Sequence, residues 1–299
     1  MPSVTVRVPA KVNLVLSVGP RRPDGFHEIA TIFLAVSLYD EVIARPAEGF
    51  SVTAEGVGAE HLPRDESNLA VQAAQTLAAY AGVTSGVGLH IRKEIPVAAG
   101  MAGGSADAAA ALVACDALWG TGLGRSELGI LAARVGSDVP FALMGGTALG
   151  TGRGERLTAA MVGGTFHWVL AIPDHGLATS DVYATLDEMR SDAEVTAPEV
   201  APDVLVALRR GDAEALGRLL GNDLQDAACS LAPELSTLLQ AGQGLGALGA
   251  VVAGSGPTCV FLVDDVEHGI DLAVGLSSAR VAAEVRRVTG PVPGPRIVG

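Results

Sequence analysis

Three short segments hold the residues best suited to chemistry. In the first, Pro96-Val97-Ala98-Ala99-Gly100-Met101-Ala102-Gly103-Gly104-Ser105-Ala106, three glycines precede an alanine-rich stretch that reads as a helix. Glycine lets the backbone approach a polyanion with its N–H groups exposed, and a helix amino terminus adds a favourable dipole. Such a segment can hold phosphates without a lysine. It is not a Walker loop, since Gly-Lys-Ser/Thr is lacking, and G-x-G-x-x-G does not occur in it. A tight strand-to-helix turn with glycines for close packing would look the same. The second segment, Gly136-Ser137-Asp138-Val139-Pro140, follows a helix stop. Asp138 there suits a helix N-cap with Pro140 in the first turn, or a carboxylate that takes a proton from an alcohol. The third is Pro9-Ala10-Lys11-Val12-Asn13-Leu14. Residues two apart share one face of a strand, so Lys11 and Asn13 form a polar pair aimed at a ligand if that face borders a cleft.

Lysine usage singles out the same regions. Of 20 Lys and Arg residues only two are lysines, Lys11 and Lys93. Lysine is a compact charge whose pKa shifts with its surroundings, whereas arginine stays protonated. Both lysines sit beside the motif-like segments, and arginine carries nearly all the remaining positive charge. Arg153 and Arg156 read as solvated surface charges.

The pattern of apolar and turn residues predicts the elements that must position these residues. Alternation at Val4, Val6 and Val8 and the apolar run over 12–18 predict two strands separated at Pro9. Strands are also expected over 29–36, 41–44, 51–54 and 87–93, with a helix over 68–81. A helix over 105–119 follows the glycine loop and stops at Gly120, and another over 126–135 stops at Gly136. Further on, helices near 203–210, 213–221, 233–241 and 266–277 are interleaved with strands over 247–253, 258–263 and 280–288. Strands and helices do not alternate strictly, so the class is α+β.

Composition removes several function classes. The chain of 299 residues has length enough for two domains, and we expect a division into 1–160 and 161–299. No apolar run suits a spanning helix and no leader pattern is visible, which predicts a cytoplasmic protein. Cys115, Cys229 and Cys259 are odd in number and far apart, which fits a reducing compartment. No C-x-x-C or histidine pair has structural-zinc spacing. A net charge of −13 disfavours nucleic acid or an acidic membrane as partner.

Taken together, the segments resemble the GHMP kinase superfamily. The Pro96–Ala106 loop is similar to its central motif, and Ala253-Gly254-Ser255-Gly256-Pro257-Thr258-Cys259 looks like its carboxy-terminal glycine-rich turn. Adding Arg22-Pro23-Asp24-Gly25-Phe26-His27-Glu28 and Gly136-Ser137-Asp138-Val139-Pro140-Phe141, the resemblance narrows to the branch acting on a cytidine-diphosphate-linked methylerythritol in the non-mevalonate isoprenoid pathway. The resemblance implies an α+β, two-domain GHMP kinase fold. Its amino-terminal part would be ribosomal protein S5 domain 2-like, its carboxy-terminal part ferredoxin-like, and the active site would lie in the cleft between them. It implies ATP and Mg²⁺, a small-molecule substrate phosphorylated on its 2-hydroxyl, and no nucleic acid, membrane or obligate protein partner.

Carried over residue by residue, Asp138 is the implied base and Lys11 its partner. Residues Pro96 to Ala106 would wrap the ATP phosphates, with Ser105 near the metal. Asn68, Leu69, Lys93 and Val97 would lie towards the adenine. His27 would bond the cytosine, Phe26 and Tyr183 would stack on it, and Asn13 would touch the substrate. Two departures stand out: Phe26 replaces the usual tyrosine, and Ala98, Ala99 and Met101 replace more glycine and a leucine. Homoserine or mevalonate-type kinases, a diphosphomevalonate decarboxylase and a non-catalytic nucleotide-binding protein are the rival readings.

Overall fold

Long runs of Val, Ile, Leu and Ala at the amino end build two unusually long strands, β1 (Val4–Arg21) and β2 (His27–Ala47), paired antiparallel. The computed structural model describes residues 3–191 and 194–298. Pro9 does not split β1. Its missing N–H is absorbed at a register shift, where Pro9 faces Tyr39 and the next residue, Ala10, faces Val36. For the same reason the two strands expected over 29–36 and 41–44 are one.

After β3 (Phe50–Gly56) come α1 (Leu69–Ala81), β4 (Gly86–Lys93), α2 (Gly103–Trp119), α3 (Arg125–Val135) and α4 (Val139–Met144). The hairpin β5 (Thr147–Thr151) and β6 (Arg156–Ala159) follows, then β7 (Phe166–Ile172) and α5 (Thr179–Met189). Next are α6 (Pro202–Arg210), α7 (Ala213–Gly217), β8 (Gly221–Asn222), α8 (Gln225–Leu231) and α9 (Glu234–Gly244). The chain closes with β9 (Gly249–Val252), β10 (Cys259–Val263), α10 (Val266–Ala279), β11 (Glu284–Gly290) and β12 (Arg296–Ile297). Strands β5, β6, β7 and β12 and helices α5 and α8 have no counterpart among the elements expected from the sequence.

One sheet runs β12-β1-β2-β4-β3, with β5 and β6 added beside β2 and β8 beside β1. The other runs β11-β7-β10-β9, all antiparallel, the βαββαβ order of a ferredoxin-like unit. Alternation along β7 joins the two halves. Trp168, Leu170 and Ile172 enter the core shared with the first sheet, while Val169 and Ala171 enter a second core under α5, α8, α9 and α10. Helix α2 is buried nearly all round, and residues 108–112, 114 and 115 are fully enclosed. Their small side chains let it lie close against β1, β2 and α1, and this fixes its amino end. Among the described residues no helix is long and apolar enough to cross a membrane.

Three buried charges anchor that end of α2. Lys93 Nζ donates to Asp40 Oδ2 and, at 2.9 Å, to Asp107 Oδ2. Asp40 Oδ1 accepts from Glu94 N at 2.7 Å and Ile95 N at 2.9 Å, directly before the glycine loop. The group thus ties β2, the exit of β4 and the second turn of α2 together. Burial opposes the charge of Lys93, but the two carboxylates outweigh it and hold its pKa above the usual lysine value. Burial pushes the Asp107 carboxyl up to about 7 against the pull of Lys93, and its Oδ1 is buried with no partner. A folded-state value above the ordinary carboxylate value means that protonation favours folding. This contribution is full in acid and is lost as pH rises through about 7. Asp107→Asn is therefore expected to lose less stability than the parent between pH 5 and pH 8, read by denaturant unfolding across that series.

Candidate active site

The loop between β4 and α2 leaves α2 without a side-chain cap. Its N-cap position is Ala102, in the left-handed conformation at φ 55°, so the first N–H groups of the helix have no side-chain partner. These uncapped donors border a cavity of about 860 Å³. Opposite them, the turn after β9 comes so close that a Cβ on Gly100, itself at φ +75°, would lie 2.0 Å from Ala253 O. Gly254, at φ +53°, is also tightly placed, its Cβ position 3.1 Å from Lys11 Nζ. A Cβ on Gly100 would collide with backbone, and the positive φ at both points favours glycine.

Lys11 sits at this junction, on β1 and almost fully buried. Its Nζ donates to Asn13 Oδ1 at 2.7 Å and to Gly100 O at 2.9 Å. Asn13 in turn donates to Thr31 Oγ1 at 2.8 Å, which donates to Val15 O. The third direction of the ammonium faces Asp138 Oδ2 at 3.7 Å, an ion pair too long for a hydrogen bond. Asp138 holds the N-cap position of α4, yet its side chain caps nothing and lines the cavity instead. Burial lowers the Lys11 pKa, with Asp138 opposing the shift. The arrangement can place a neutral oxygen between a carboxylate and a buried cation, beside a helix end that attracts anions.

The far end of the cavity is built by β2, the β5–β6 turn and α5. His27 Nε2 meets Asp187 Oδ1 at 2.7 Å, and Tyr183 stacks on the His27 ring at 5.0 Å between centroids. Burial raises the Tyr183 hydroxyl pKa, helped by the charge of Asp138. Arg153 lies over Phe26, 4.8 Å from the ring centroid. Lys11, Arg21 and Arg153 bring three cations to the lining against the two carboxylates Asp138 and Asp187. The balance is locally positive in a chain of net charge −13.

Residues 68–146 match the model of the GHMP kinases N terminal domain, and residues 204–279 that of the GHMP kinases C terminal domain. A 4-diphosphocytidyl-2-C-methyl-D-erythritol kinase of Streptomyces avermitilis is 53% identical over 296 residues, covering 99% of this chain and 100% of that protein. The chain belongs to the GHMP kinases. A protein of the same name from Mycobacterium tuberculosis is 55% identical over 296 residues, covering 99% of this chain and 93% of that one. Among solved structures, a 4-(cytidine 5'-diphospho)-2C-methyl-D-erythritol kinase superposes with a TM-score of 0.77 at 32% identity, covering 95% of this chain and 98% of that one. The two-part α+β fold expected from the sequence is the GHMP kinase fold.

Of the residues singled out in this GHMP kinase, Lys11, Asn13, Phe26, His27, Leu69, Asp138 and Tyr183 line the cavity, as do residues 98–100 and 102–105. Pro96, Val97, Met101 and Ala106 complete the loop without bordering it. Asn68 also lies off the lining. It is the N-cap of α1, accepting from Ala70 N at 2.9 Å, and it donates to Pro63 O. Lys93, expected towards the adenine, has its ammonium enclosed between Asp40 and Asp107 under the loop. Tyr183 covers His27 rather than standing free. Pattern reading missed Asp187 and the position of Arg153. Arg156 is a surface charge, whereas Arg153 belongs to the cavity wall.

Two outcomes follow from the Gly100–Lys11 junction. Gly100→Ala should lower both the unfolding midpoint and the affinity for ATP, measured by calorimetry, because its Cβ collides with backbone. Lys11, its pKa lowered, should lose its proton below the usual lysine value. The kcat/KM profile should therefore fall on the alkaline side earlier than an ordinary lysine would impose, and Lys11→Met should lack that limb.

Proposed function

We propose that the chain is an ATP-dependent kinase that phosphorylates the 2-hydroxyl of 4-diphosphocytidyl-2-C-methyl-D-erythritol, an alcohol-acceptor phosphotransferase step of isoprenoid precursor synthesis. The observation that carries this reading is the Lys11–Asp138 pair, 3.7 Å apart, facing the uncapped amino end of α2 across one cavity. Full-length relatives at 53% and 55% identity carry the name of that kinase.

In this reading the gap between Lys11 Nζ and Asp138 Oδ2 receives the acceptor hydroxyl. Asp138 takes its proton, a role contributing roughly 10²–10⁴-fold in general-base catalysis. Lys11 stabilises the negative oxygen left behind, and Asn13 and Gly100 hold the ammonium in place so that little reorganisation is needed. ATP supplies the phosphoryl group. The uncapped N–H groups of residues 103–105 fit its phosphates, with Leu69 beside them on the lining. Ser105, in the first turn of α2, is the protein oxygen we assign to Mg²⁺, which in such sites is held largely by substrate phosphates. The nucleobase end is assigned to Phe26, His27 and Tyr183. We assign residues 1–160 to the ATP-binding domain and 161–299 to the carboxy-terminal domain, in a cytoplasmic enzyme acting on a small molecule.

The test is ATP consumption by the purified chain with defined acceptors. Turnover strictly dependent on the cytidine-diphosphate-linked methylerythritol is expected. Turnover of mevalonate or homoserine without it would overturn the substrate assignment. Asp138→Asn should bind both substrates but lose roughly 10²-fold or more in kcat; a near-parental rate would remove Asp138 from the base role.

A further inference from the structure

Helix α5 presents two side chains to a single histidine. Tyr183 and Asp187 are four residues apart, hence on one face of the helix, and both line the cavity. Tyr183 stacks on the His27 ring with 30° between planes, and Asp187 Oδ1 meets its Nε2 at 2.7 Å. The His27 side chain is only 6% exposed, so the ring is held on one face and at one nitrogen. Arg190 pairs with Asp223 and Arg22 with Asp24 and Glu28, while Arg21, opposite His27 in the β1–β2 register, and Arg153, over the Phe26 ring, line the same cavity without an ion pair to Asp187. Among the described residues, His27 is the one ion-pair or hydrogen-bond partner of the Asp187 side chain.

The chemistry of this contact is directional. An ionised carboxylate only accepts, so a 2.7 Å contact requires the proton of His27 on Nε2. In the neutral ring Nδ1 is then an acceptor, and it makes no hydrogen bond to another described residue. An acceptor matches an exocyclic amino group, which cytosine carries where uracil carries a carbonyl. Resting on the functional reading above, we propose that Asp187 is a positioning residue for base selection: it fixes His27 as the Nε2–H tautomer and so turns Nδ1 into the acceptor that favours cytidine over uridine ligands.

The proposal is tested on the full chain with Asp187→Ala and Asp187→Asn. Calorimetry with cytidine 5'-diphosphate and uridine 5'-diphosphate should show the parent preferring the former. Asp187→Ala should weaken cytidine binding about tenfold, the loss of one hydrogen bond from the cytosine amino group to Nδ1, while uridine binding barely moves. Asp187→Asn, whose amide oxygen still accepts from Nε2–H, should retain most of the preference. With the phosphoryl acceptor, KM should rise in Asp187→Ala while kcat and the KM for ATP stay near parental values. Nitrogen-detected NMR of His27 should show the Nε2–H tautomer in the parent and a mixture in Asp187→Ala. A parental preference in Asp187→Ala, an Nδ1–H tautomer in the parent, or a parallel fall in kcat and ATP affinity overturns the proposal. Lack of turnover on the cytidine-linked substrate would instead overturn the functional reading, because tautomer and nucleotide preference are read without turnover.

Discussion

The site depends on two stretches of backbone approaching closer than any side chain allows. Where the loop before α2 meets the turn after β9, Gly100 and the Ala253–Gly254 backbone close around the Lys11 ammonium. A protonated amine has three hydrogens to place. Asn13 Oδ1 and Gly100 O take two, so the third points towards Asp138 without reaching it. An ammonium this constrained loses little freedom when a ligand oxygen enters the gap, and its charge is already oriented where negative charge would develop. The core shared by the two sheets serves this contact, since it holds the β10 side of the molecule against β1 and α2.

Electrostatics show a second layer of the same logic. A chain with net charge −13 repels polyanions at long range, so attraction has to be local. Locally it comes from uncapped helix N–H groups and from Lys11, Arg21 and Arg153 at the cavity wall. The Asp40–Lys93–Asp107 cluster lies beneath the loop, where its carboxylates are held by Lys93 and by the N–H groups of Glu94 and Ile95. A buried group of this kind is weak evidence for stability, but removing one partner leaves an uncompensated charge, so it fixes geometry strictly. What it fixes here is the path of the chain into the loop.

How much of this was legible in the sequence depended on the range of the signal. The ends of α1 and α2 were set by local rules, Asn68 and Gly82 for one and Gly120 for the other, and they were read within about two residues. The long strands were misjudged at Pro9 because a register shift on the partner strand can absorb a missing donor, a fact about pairing and not about the residue. Asp138 was ambiguous because an N-cap position and a cavity-facing carboxylate have the same sequence; only the direction of the side chain separates them. Helix α5 went unread, and with it Asp187, although Tyr183 was reachable through family resemblance. Only Val182 and Leu186 of that helix are buried, too few apolar positions for a periodic signal to stand out.

The two lysines show where residue chemistry ends and structure begins. Their rarity marked both as special, and in a sequence they are the same cation beside the same kind of motif. Folding separates them by what surrounds the ammonium. Lys93 is enclosed by two carboxylates, which overcome the cost of burial and raise its pKa, so it remains a fixed charge. Lys11 is buried against neutral oxygens with one distant carboxylate, and burial wins, lowering its pKa. A lysine of the first kind can only hold elements together. A lysine of the second kind holds its proton less tightly than an ordinary lysine and has an unsatisfied direction, which are the properties a group needs to act on an entering hydroxyl.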